Sequence, residues 1–174
     1  VDHPLGIAVT LRLDMWGQAW AMIRDMPYTG IGLNTFPALQ TVFYPGFLLG
    51  PEPHAHNLFL QVALDLGVFG LAVLLWLLVS FGCLALMAYR LCKPQHQEGR
   101  ALIVGLVAGM AAYGVSGCMD ALWTAKSALV LWVLLGLVTA SYRVYGLAHG
   151  EWSQPRSIRI TMALPAVVFL LLLS

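Results

Sequence analysis

From residue 57 onward the chain alternates long apolar stretches with short polar ones, while before it the apolar residues are broken by turn formers. Leu58 to Leu91 is almost uncharged for about 34 residues, whereas about 20 residues rising 1.5 Å each cross roughly 30 Å of hydrocarbon. One straight span would be too long. Asp65, Gly67 and Gly70 offer the break, because glycine inside a helix costs about 1 kcal/mol relative to alanine and permits a kink or a close crossing. The pattern predicts a short interfacial helix over 57–66 and then a span over 68–91. Ala101 to Met119, Ser127 to Val144 and Ile158 to Ser174 are further apolar runs near span length. The predicted fold class is therefore an all-α integral membrane protein. It has about four transmembrane helices in residues 57–174, the last truncated, preceded by a large extracytoplasmic loop region in residues 1–56. Continuous hydrophobicity excludes the alternating strands of a barrel.

Within residues 1–56, Leu11 to Met26 reads as an amphipathic helix with Thr10 as its cap and Pro27 ending it. Arg12, Trp16, Trp20 and Arg24 recur at spacing four and share one face. That face is either an interfacial one, with tryptophans at head-group depth and snorkelling arginines, or a cationic grip for phosphate. Tyr28 to Phe36 carries Gly30 and Gly32 in a turn. No strand precedes this turn and no third glycine follows, which excludes a dinucleotide fold and leaves close backbone approach as the reason for the glycines. Pro37 to Pro53 reads as a long ordered loop.

Composition agrees, with 60% hydrophobic and 10% charged residues and a mean hydropathy of +0.80, against roughly 25% charged in soluble domains. A net charge of +1 gives no field to attract nucleic acid. Charge distribution says more. Arg90, Lys93 and Arg100 fall between the first two long runs, and Arg143, Arg156 and Arg159 between the last two, which assigns both loops to the cytoplasmic side. Residues 1–56 and the connection around Asp120 and Lys126 are then extracytoplasmic. Cys83, Cys92 and Cys118 lack the spacing of a metal or redox site. The chain opens on Val1 and stops inside an apolar run, so it is expected to be a piece of a longer protein.

The candidate chemistry sits in His54-Ala55-His56-Asn57, at the mouth of the first long run. With Glu52 nearby, the two histidines outline a zinc site, but their spacing suits an extended strand and no further ligand completes four-coordination. No metal and no cofactor are expected. Asn57 is either a helix cap or an orienting group for His56 or a sugar. Asp120, ending an apolar run, is either an interfacial boundary or a functional acid.

Four motifs in order, Arg12-x3-Trp16, Pro27-x2-Gly30-Ile31-Gly32-x3-Phe36, His54-Ala55-His56-Asn57-x2-Leu60 and Asp65-Leu66-Gly67-x2-Gly70, resemble the O-antigen ligase and polymerase family of bacterial membrane glycosyltransferases. The resemblance covers roughly residues 5 to 145. It implies transfer of a glycan from an undecaprenyl diphosphate carrier at the outer face of the bacterial cytoplasmic membrane. The acceptor is lipid A core, a second carrier-linked glycan, or protein. It implies that His56 is the catalytic residue and Arg12 a contact to the diphosphate. Arg24, Asn57 and His54 complete the candidate substrate-binding set. The family has further membrane helices upstream, including a functional arginine, so this stretch alone is expected to be inactive.

The residue types suit the reaction. Neutral imidazole, with an ordinary pKa of about 6.5, accepts a proton near neutral pH, and a guanidinium fork binds phosphate oxygens while staying charged. A transporter or flippase would instead place its polar residues near mid-span, and a scaffold would show no clustering of His, Arg and Asn. Here the polar groups gather in the outer loop.

Overall fold

The computed structural model describes residues 4–44, 52–120 and 125–147, and among them every regular element is helical. The elements are α1 (Pro4–Asp25), α2 (Phe36–Val42), α3 (Leu58–Leu91), α4 (Gln97–Gly117) and α5 (Ala125–Leu147). Helices α3, α4 and α5 are long and apolar enough to cross a membrane. The fourth expected span, Ile158 to Ser174, lies outside the described residues, as do Arg156 and Arg159.

Two local expectations need correction. Helix α1 begins at Pro4, where proline's fixed φ suits a first helical position, so Thr10 lies within the helix rather than capping it. Helix α2 forms inside the stretch expected to be a loop. Pro37 sits in its first turn, and Phe36 is fully buried against Ala19, Met22, Ala55 and Leu64. Burying one such ring contributes about 1.5–3 kcal/mol, enough to fix a short helix that propensity alone would leave unformed.

The expected break in α3 falls at Gly67, whose φ of 71° and ψ of −173° interrupt the helix. The segment Pro27–Gly32 packs directly on it. Ile31 N–H donates to Leu64 O at 2.8 Å, Gly32 N–H to Asp65 O at 3.1 Å, and Val68 N–H to Pro27 O at 2.7 Å. These bonds take up backbone groups that the break leaves without helical partners. They require the close approach that the glycines allow. Asp65 is buried, and one oxygen of its carboxylate accepts from Gln61 Nε2 at 2.9 Å.

The chain forms two compact units. One gathers the described residues of Val1–Leu74 and Gly114–Ala128, and its core is Ala19, Met22, Phe36, Ala55 and Leu64. There the end of α4 meets the start of α3, since a Cβ on Gly117 would lie 3.1 Å from Leu58 Cδ2. The other gathers the described residues of Leu75–Tyr113 and Leu129–Ser174 around Leu84, Ala85, Ala88, Ile103, Leu106 and Val138. Small residues permit close contact there: Gly109 meets Leu134, and Tyr145 covers Gly99. Arg100 stacks over the Tyr89 ring at 4.3 Å.

Candidate active site

Residues 52–57 form a short connection into α3 that is pinned at each end. Gln40, buried on α2, accepts from Glu52 N–H at 2.9 Å through Oε1 and donates to Gln18 Oε1 at 2.7 Å through Nε2. At the centre, Ala55 is fully buried. Its carbonyl accepts the Trp16 indole N–H at 3.0 Å, and its own N–H donates to Gln61 Oε1 at 2.8 Å. Trp16 therefore holds the histidine loop as well as sharing a face with Arg12.

Asn57 resolves as a cap. Its Oδ1 accepts from the N–H groups of Phe59 and Leu60, both at 3.0 Å, which satisfies two of the donors that open α3. Its Nδ2 donates to Cys118 O at 3.0 Å, tying the head of α3 to the residues that follow α4. Oxygen and nitrogen of the side chain are thus both engaged in holding the loop.

Between these anchors His56 adopts φ of 47°, a left-handed conformation that costs a non-glycine residue about 1–2 kcal/mol. Such outliers persist where surrounding contacts over-determine them, often at functional sites. The result is that both ring nitrogens face carboxylates. Nδ1 lies 3.3 Å from Asp120 Oδ1, and Nε2 lies 3.8 Å from Glu52 Oε2. The nearer carboxylate is within hydrogen-bonding range, so the Nδ1–H tautomer of a neutral ring would donate to it. That leaves the Nε2 lone pair free, the arrangement of a general base held in one tautomer.

The other expected site residues divide. His54 lies edge-on to His56 with ring centroids 4.3 Å apart, and its Nδ1 is buried with no hydrogen-bond partner. Burial first, and the charge of His56 second, hold the His54 pKa below the ordinary histidine value, with Asp120 and Glu52 acting in the opposite sense. Arg12 is half-buried, and its Nη1 reaches Met119 Sδ at 4.0 Å, so Arg12 and His56 meet neighbouring residues of the same short turn. Arg24 stands apart. It is exposed in the last turn of α1, about 18 Å farther along the helix axis than Arg12. Asp120 is the site residue that the sequence did not join to His56, whereas Glu52 stood beside the histidines in the chain. An acid at a span end was visible, but nothing local linked it to a histidine 64 positions earlier.

Residues 5–75 match the family described as O-antigen ligase. That segment belongs to the O-antigen ligase family. The match contains Arg12, Arg24, His54, His56, Asn57 and Gly67; it ends short of residue 145, so Asp120 lies beyond it. Neither a curated protein nor a solved structure matches the chain. Three apolar helices of spanning length accompany the O-antigen ligase segment, as in a multi-pass membrane protein.

Proposed function

We propose that this protein transfers a glycan from a polyprenyl diphosphate carrier, undecaprenyl diphosphate in a bacterial cytoplasmic membrane, to a hydroxyl of lipid A core. A polymerase using a second carrier-linked glycan, or a protein glycosylating enzyme, would run the same chemistry on another acceptor. The reaction takes place at the outer face. The observation that carries the reading is the His56 ring, facing Asp120 through Nδ1 and presenting Nε2, with Arg12 reaching from α1 to Met119 beside that acid.

In the transfer step, Nε2 of His56 takes the proton of the acceptor hydroxyl as that oxygen attacks the anomeric carbon. The bond from that carbon to the diphosphate oxygen breaks, the electron pair leaves with the diphosphate, and the configuration inverts. Arg12 stabilises the departing charge through paired N–H donors. Asn57 acts through the loop it caps, and His54 packs on the base. Arg24 would meet the carrier outside the reacting centre. No metal ion takes part in the step.

The test is glycan transfer by the full-length protein in membrane vesicles supplied with carrier-linked glycan and each acceptor class in turn. His56→Gln should abolish transfer while leaving carrier binding in place. Full activity in that variant would remove the base assignment.

A further inference from the structure

The cluster His54, His56 and Asp120 has the make-up of a metal site as well as of a base. Each residue offers one ligand atom, and the three atoms lie within 4.8 Å of one another. Two imidazoles and a carboxylate form the mixed nitrogen and oxygen set that suits zinc, whereas magnesium and calcium favour oxygen alone. Tetrahedral bonds of about 2.0–2.1 Å put neighbouring ligand atoms about 3.3–3.4 Å apart. His56 Nδ1 and Asp120 Oδ1 stand at 3.3 Å. The Nδ1 of His54 is buried without a hydrogen-bond partner, so one nitrogen of that ring remains unsatisfied.

Glu52 adds an independent observation. Metal-bound histidines donate their other ring N–H to a carboxylate or carbonyl, which fixes the tautomer. Glu52 Oε2 lies 3.8 Å from His56 Nε2, on the opposite side of the ring from Asp120. The sequence pattern hides this arrangement, because i, i+2 spacing suits an extended strand. The left-handed backbone at His56 instead brings the rings together and turns Nδ1 toward the residues after α4.

The geometry points to a three-ligand zinc site formed by His54, His56 and Asp120, whose occupancy switches glycan transfer off. The second half rests on the base role of His56 proposed above. Zinc on Nδ1 leaves the neutral ring's proton on Nε2, facing Glu52, so no lone pair remains to accept the hydroxyl proton. Base and metal-bound states are the two tautomers of one imidazole. The ion is therefore a competitive regulator and takes no part in the transfer step.

The experiment titrates purified full-length protein, stripped with EDTA, with Zn2+ by calorimetry and with Co2+ by visible absorption. One ion per chain is expected, with the intense cobalt band of a low-coordinate site. His54→Gln and Asp120→Asn should each abolish the band. Glu52→Gln should weaken binding about tenfold, and His96→Gln should leave it unchanged. Absence of stoichiometric binding to the unmutated protein overturns the site, as does a band that survives His54→Gln. Transfer measured in parallel should fall at least about tenfold at full zinc occupancy and return with EDTA, since general base catalysis contributes at least that much. Zinc bound through these residues with transfer undiminished overturns the switch and leaves the site standing. Failure of the base reading appears separately, as retained transfer in His56→Gln without any metal.

Discussion

Gly30 and Gly67 stand so close that a Cβ on Gly30 would lie 2.6 Å from the Gly67 backbone nitrogen. A Cβ on Gly67 would meet Tyr28 O at 2.3 Å. Gly67 also holds φ of 71° and ψ of −173°, a region essentially closed to other residues. Gly67→Ala should destabilise the protein by about 3 kcal/mol or more, as backbone strain adds to backbone overlap. Gly82→Ala, in open space on the same helix, should be neutral or stabilising by up to about 1 kcal/mol. Thermal unfolding of the two variants in detergent checks the contrast; equal midpoints would contradict the packing.

Asn57 makes two separable contributions. Asn57→Asp keeps an oxygen to cap α3 but loses the donor to Cys118 O, while Asn57→Ala loses both. Removing a cap costs about 1 kcal/mol, so stability should fall in the order Asn, Asp, Ala. Transfer should fall in both variants, because the tie to Cys118 helps hold Asp120 against His56. If Asn57→Asp transferred at the original rate, that tie would be irrelevant to the base.

Much of the architecture was legible because lipid demands long uncharged runs, and α3 to α5 follow them closely. The break at Gly67 was legible too, as a run too long for one span with glycine near one third of its length. Helix α2 was not, since turn formers on both sides outweighed a seven-residue helix held by the burial of Phe36. At the site, the histidines and Arg12 stood out by type and motif. Their mutual arrangement did not, because it depends on Asp120 arriving from a distant helix end and on a positive φ at His56, neither of which leaves a local pattern.

The lowered pKa of His54 gives stability a definite dependence on pH. The unfolded chain binds this proton near pH 6.5, while the folded protein resists it. The folded state therefore retains its full advantage above about pH 6.5 and loses it as pH falls through the depressed folded value. Thermal midpoints between about pH 7.5 and 5 should decline less in His54→Gln than in the unmutated protein. A parallel decline would assign the dependence elsewhere.

Arg12→Lys should raise the KM for the carrier-linked donor and lower kcat by about tenfold, because a point charge cannot reproduce two parallel donors on a diphosphate. Arg24→Lys should leave kcat unchanged, given its position three turns away. Steady-state transfer with varied donor separates the two. Equal effects at both positions would indicate a general attraction of anionic lipid.

The opening of α3 works as a gauge. Nine residues, Leu58 to Leu66, separate a nailed head at Asn57 from a clamped foot at Gly67. Because each helical residue turns the chain by about 100°, inserting or deleting one would swing the imidazole out of line with its acid while leaving every side chain of the site intact. The length of that interval is therefore as much a part of the candidate site as the histidine it aims.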